Sequence, residues 1–150
     1  MKTFATLLLL LPFATACVSG PSKSELDAEV KRLCAIDGGI KVYETVTLPA
    51  GRFDKWGNVG IPNKKYAKPT DEYYYESEDH YYRQGNPTFL RSRSWIVRRS
   101  DGKILGESIR YGRGGGDLPG PWHGSSFDCP PIADAEGKLE SLIFLNGDKK

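Results

Sequence analysis

The sequence predicts an α+β fold, with one N-terminal helix packed on an antiparallel sheet of about five strands and fastened by one disulfide. Three observations lead there. Apolar residues recur at helical spacing soon after residue 24. The period switches to two at Ile40. Residues 88–111 then read as two apolar-rich strands around a single polar turn.

Ser22 followed by Glu25 has the spacing of a capping box, in which each side chain satisfies a backbone N–H at a helix start. Leu26, Val30, Leu33 and Cys34 follow at i, i+4, i+7 and i+8, one apolar stripe that turns Cys34 inward. Gly38 and Gly39 stop the helix. Ile40, Val42, Val46 and Leu48 alternate with Lys41, Tyr43, Thr45 and Thr47, which predicts one strand with a buried face. Residues 49–71 are rich in Gly, Pro, Asn and Lys and read as a long irregular segment held down by Phe53 and Trp56. Residues 72–83 form a strand full of tyrosines. Strands at 88–99 and 104–111 make a hairpin through residues 100–103. With Gly102 left-handed in a bulged turn, Phe89, Trp95 and Val97 share a face with Leu105, Ile109 and Tyr111. A Gly/Pro loop spans 112–131, and a last strand runs from about 139 to 145 (LESLIFL).

Residues 1–16 have the three parts of a secretory signal: Lys2, an apolar run over 4–13, and small side chains at 14–16. The run is about half the roughly 20 apolar residues a spanning helix needs. Residues 14–17 (ATAC) resemble the bacterial lipobox, in which small residues precede a cysteine that receives a diacylglyceryl group. The residue three before that cysteine is usually Leu, and here it is Ala14. The resemblance implies that Cys17 becomes the acylated first residue of the mature chain, and its acyl chains contribute about 0.8 kcal/mol of membrane affinity per buried CH₂. The chain then divides into a signal peptide (1–16), a lipidated tether (17–24) and a single periplasmic domain (25–150). Val18 and Ser19 follow the cysteine, whereas lipoproteins held in the inner membrane of enterobacterial cells carry Asp next to it. The expected location is the outer membrane, facing the periplasm. The chain has three cysteines. With Cys17 acylated, Cys34 and Cys129 remain as one pair, and in an oxidising compartment they are expected to bridge.

Lys and Arg number 21 against 19 Asp and Glu, a balance that gives no reason to expect nucleic acid as a partner. His123 lies near Ser125, Ser126 and Asp128, so a hydrolase with His123 as base is conceivable, yet no nucleophile elbow accompanies them. His80 and His123 with Asp79 and Asp128 make a poor metal set, and no metal or cofactor is expected. Residues 112–117 (GRGGGD) lack the Lys-Ser/Thr of a phosphate loop and read as a demanding turn. Trp122 caps the core or is presented to a partner.

The charge pattern is more telling. Residues 71–79 carry Asp71, Glu72, Glu76, Glu78 and Asp79 with no basic residue, and residues 88–113 are dominated by arginine. In the simpler reading the acidic strand pairs with the basic hairpin, at roughly 0.2–1 kcal/mol per opposite-charge pair. In the other, arginines such as Arg91, Arg93 and Arg113 stay free to hold an anionic partner. Residues 33–43 (LCAIDGGIKVY) and 116–123 (GDLPGPWH) resemble those of small lipoproteins of Gram-negative bacteria and their prophages, a group that brings no activity or site residue with it. The expectation is therefore a lipid-anchored, non-enzymatic protein that binds an envelope protein or envelope component. A hydrolase acting on envelope material through His123, or a prophage-type exclusion or immunity factor, stands as the alternative.

Overall fold

The computed structural model describes residues 20–118, 120 and 123–148. Helix α1 (Lys23–Asp37) starts as expected: the Ser22 hydroxyl accepts from the Glu25 N–H and the Glu25 carboxylate accepts from the Ser22 N–H. Its last turn is closed by the Gly38 N–H on the Cys34 carbonyl, and Gly39, at φ 109°, turns the chain into the sheet. Strands β1 (Gly39–Val42), β3 (Tyr73–Arg83), β4 (Thr88–Arg98), β5 (Lys103–Gly114) and β6 (Ser126–Cys129) form an antiparallel five-stranded sheet in the order β1-β5-β4-β3. Strand β6 pairs with β5 beyond the end of β1, over Tyr111–Gly114.

Three elements depart from the sequence reading. The strand expected over 40–48 breaks in two, because the N–H groups of both Tyr43 and Glu44 turn to the Leu105 carbonyl. Its second half, β2 (Val46–Leu48), leaves the main sheet and pairs in parallel with β7 (Phe144–Asn146). The strand expected at 139–145 is the end of helix α2 (Ile132–Ile143) followed by the short β7. Leu139 and Ile143, four apart, are buried, whereas Leu142 is exposed, so helical spacing and not alternation governs that run. The loop expected over 112–131 contains β6, whose Phe127 and Cys129 turn towards α1.

The two helices cover opposite faces of the sheet. On one, Leu26 and Val30 of α1 pack against Phe89, Ile109 and Tyr111. On the other, Leu139 and Ile143 of α2 pack with Leu48, Tyr73, Ile96, Leu105 and Phe144. Complete burial of a side chain such as Leu105, Ile143 or Val30 contributes roughly 1.5–3 kcal/mol each. Leu105 therefore does not share a face with Ile109 and Tyr111, contrary to expectation. Ile96 pairs with Gly106 while Val97 pairs with Ile104, so Leu105 is the extra residue of a bulge and joins the face of Ile96. The hairpin turn matches, with Gly102 at φ 70°.

The predicted disulfide joins Cys34 of α1 to Cys129 of β6, with 5.8 Å between their Cα atoms. The segment 49–71 is tied to α2 by the Glu140 carboxylate, which accepts from the N–H groups of Val59 and Gly60. Phe53 packs on the core as expected, but Trp56 does not and is 75% exposed. Among the described residues no helix is long and apolar enough to cross a membrane.

A candidate groove built on paired arginines

Side chains alternate along a strand, so Phe89, Arg91, Arg93 and Trp95 of β4 project from the face that α1 covers. Register then fixes their neighbours. On β3, His80 lies opposite Arg91 and Glu78 opposite Arg93; on β5, Tyr111 lies opposite Arg91 and Ile109 opposite Arg93. Beyond Phe89 the apolar cover of α1 ends, and charged side chains take over that face.

Arg93 is held on both sides. Its Nε lies 2.6 Å from Glu107 Oε2, and Nη1 stands 3.7 Å from Glu78. Its guanidinium also sits 4.7 Å above the Trp95 ring. The other Glu107 oxygen accepts from the Tyr43 hydroxyl, so this buried carboxylate is fully engaged. Burial pushes the Glu107 carboxyl up, but the hydrogen bonds from Tyr43 and Arg93 outweigh it and hold the group below its ordinary value. Tyr43 is raised in turn, chiefly by its bond to Glu107.

Arg91 is held more loosely, 3.6 Å from Asp37 at the end of α1 and 4.0 Å from Glu78. Asp37 also accepts from the Tyr111 hydroxyl at 2.7 Å. Burial and that bond raise Tyr111 to about 12. A register shift between Tyr81 and Arg83 turns Tyr82 over the same face. There it stacks on Phe89 at 4.8 Å and meets His80 edge-on at 4.8 Å. Asp37, Glu78, His80, Tyr82, Arg91 and Tyr111 thus line an open groove of about 480 Å³. Its walls are aromatic, and its carboxylates outnumber its single guanidinium.

The simpler charge reading matches the geometry at Arg91 and Arg93, which both face carboxylates of the same chain. Arg113 requires a correction. It is 3% exposed, and its guanidinium is spent on Asp27 of α1, at 2.7 and 3.3 Å, and on the carbonyls of Gly115 and Ser125. It locks α1 to the end of β5 and does not face a partner. Cys17 and Trp122 lie outside the described residues.

His123 is exposed. Ser125 Oγ bonds to Asp117 and Arg113, and Asp128 pairs with Arg110 at 2.6 Å, so among the described residues no Ser–His–Asp arrangement is assembled. Nor do three His, Cys, Asp or Glu side chains converge on a common point there. The glycine-rich stretch is a demanding turn, as its composition predicts: Gly115 and Gly116 sit at φ 78° and 82°, and the Gly116 N–H bonds to the Asn86 side chain. Asp117 ties this turn to α1 through Lys23 at 2.6 Å, and that bond, with those from Ser125, holds its carboxyl well below the usual range.

Sequence reasoning missed Asp37, Tyr43, Glu107 and Tyr111 as members of the groove and its surroundings. Strand register brings Glu107 and Tyr111 beside Arg91 and Arg93, whereas Asp37 at the end of α1 and Tyr43 just past β1 reach them through tertiary packing. No family model, curated protein or solved structure matches the chain.

Proposed function

We propose that this chain is a bacterial lipoprotein, acylated at Cys17 and held at the outer membrane facing the periplasm, which acts by binding an envelope protein. The observation that carries this reading is the use of the cysteines. The chain has three, and the Cys34–Cys129 bond takes two of them, which leaves Cys17, directly after a signal-like segment, as the thiol for lipid. Helix α1 begins at Lys23, so only about five residues separate it from Cys17, a contour length of at most about 18 Å. The domain then works beside the bilayer. Of the partner classes open from the sequence, a protein is favoured over an anionic envelope component, because Arg91, Arg93 and Arg113 all face carboxylates of their own chain. The test is fractionation of cells carrying the wild type or Cys17→Ser. Wild-type protein should partition with outer membranes on a density gradient and the variant with soluble periplasm; recovery of both in the soluble fraction would end the proposal.

A further inference from the structure

The sheet has one long outer edge, and the described residues leave most of it bare. Strand β3 is its last strand, 11 residues long. Only its start is covered: the Tyr75 N–H donates to the Pro62 carbonyl at 2.9 Å, and the Tyr75 carbonyl accepts from the Lys64 N–H at 2.8 Å. These bonds fix which way the strand faces. In an antiparallel ladder a residue's N–H and C=O point the same way, and successive residues alternate. Tyr75 points outward, so Ser77, Asp79 and Tyr81 do too. Among the described residues, none of their outward groups meets a backbone partner. Residues 77–82 are all exposed.

An uncovered edge is a template for another strand, and proteins that keep one usually guard it with charge. Here the guard is acidic, with Glu78 and Asp79 on the open stretch. A second copy pairing on this edge would lay one acidic strand beside another, which like-charge repulsion disfavours. A basic strand is favoured instead. The groove described above opens beside the same residues. Asp37 and Glu78 stand there against Arg91, with Arg93 also 3.7 Å from Glu78. The Asp79 side chain lies on the other face of the strand, where it accepts from the Ser92 hydroxyl. A residue added opposite Glu78 or His80 points to the groove's face and stands about 5 Å from its neighbour on β3. The loose contacts of Arg91, at 3.6 and 4.0 Å, leave carboxylate oxygens to accept from an incoming cation.

We propose that the edge of β3 from Ser77 to Tyr81 binds an extended segment of a partner protein by strand addition, with a lysine or arginine of that segment seated in the groove beside Glu78. Main-chain bonds supply the affinity and the groove the selectivity. This rests on the reading of the protein as a binding protein, but not on its lipid anchor.

The test uses the full mature lipoprotein in detergent micelles and two synthetic peptides, Thr-Val-Lys-Val-Lys-Val-Thr and its counterpart with Glu in place of Lys. Amide hydrogen exchange is read at Ser77, Asp79 and Tyr81. The lysine peptide should slow those three amides by about tenfold or more while the glutamate peptide leaves them unchanged. Glu78→Lys should reverse the preference. Asp79→Pro removes an outward N–H without touching the β3–β4 ladder, and should abolish protection with the circular dichroism unchanged; if that variant does not fold, Glu78→Lys decides. No protection by either peptide, or equal protection by both, overturns the proposal. Protection that grows with protein concentration in the absence of peptide also overturns it, in favour of a second copy. Membrane fractionation of the source cells, before detergent extraction, reports on the anchor alone, so the two failures are distinguishable.

Discussion

Replacing both bridged cysteines (Cys34→Ala with Cys129→Ala) should cost this fold a large part of its stability, and the size follows from the position of the bond. Cys34 and Cys129 are 95 residues apart, so the cross-link closes a loop spanning almost the whole domain. The chain-entropy relation gives about 4.7 kcal/mol at 25 °C for such a loop, an upper figure. Small domains have in total roughly 5–15 kcal/mol. The folded state itself should change little, because α1 is held to the sheet independently by Leu26 and Val30, by Asp27 on Arg113 and by Asp37 on Tyr111. The double variant should therefore fold in the cold with an unchanged far-ultraviolet spectrum. With an m-value of about 2 kcal/mol/M, its urea midpoint should fall by about 2 M. A midpoint shift below about 0.5 M, or about 1 kcal/mol, would refute the reasoning, because the loop would then not limit the unfolded chain.

Three further outcomes follow from single positions. Arg113→Met strands the Asp27 carboxylate and the Gly115 and Ser125 carbonyls; because Asp27 is partly exposed, the loss in urea unfolding should lie near the lower end of the 3–5 kcal/mol known for broken buried pairs, about 3 kcal/mol. At Gly106 an added Cβ would stand 2.9 Å from both Ile143 Cδ1 and the Lys41 carbonyl oxygen, so Gly106→Ala should lower stability by about 1–3 kcal/mol, read as a drop in thermal midpoint. Tyr111, raised to about 12 in the fold against about 10 unfolded, gives a contribution fully present below pH 10 and lost as pH climbs towards 12; the wild type should lose more stability over that window than Tyr111→Phe, and equal losses would contradict the assignment.

What could be read from the sequence was whatever depends on near neighbours in the chain. The Ser22–Glu25 cap, the stripe from Leu26 to Cys34 and the Gly102 turn are all local, and each stands where the pattern puts it. The failures share a different cause. Ile40 to Leu48 alternates except at Glu44, which falls in the apolar phase, but that pattern does not show that Tyr43 and Glu44 both bond to Leu105, more than 60 residues on, and split the strand. The run at 139–145 is too short for periodicity to separate strand from helix, and Leu139 and Ile143 suit either until α2 is seen lying across Gly106. Leu105 was misplaced by the bulge, which alternation alone does not reveal.

The groove was half legible. An acidic strand preceding a basic hairpin is enough to expect cross-strand pairs, and Arg91 and Arg93 make them. Asp37 and Glu107 come from α1 and β5, and Tyr43 from just past β1, so only tertiary structure gathers them. Arg113 shows the limit of composition, since one arginine in a basic run can be an interior strut while its neighbours line a surface. Charge counted along a chain does not say which side of a strand the charge is on.

The central claim is that Cys17 carries lipid, and intact-mass analysis of the protein extracted from membranes tests it most directly. The predicted result is a chain that begins at Cys17 and is heavier than its amino-acid mass by a diacylglyceryl group and an N-acyl chain. A chain of unmodified mass, with Cys17 a plain thiol or residues 1–16 still attached, would contradict the account.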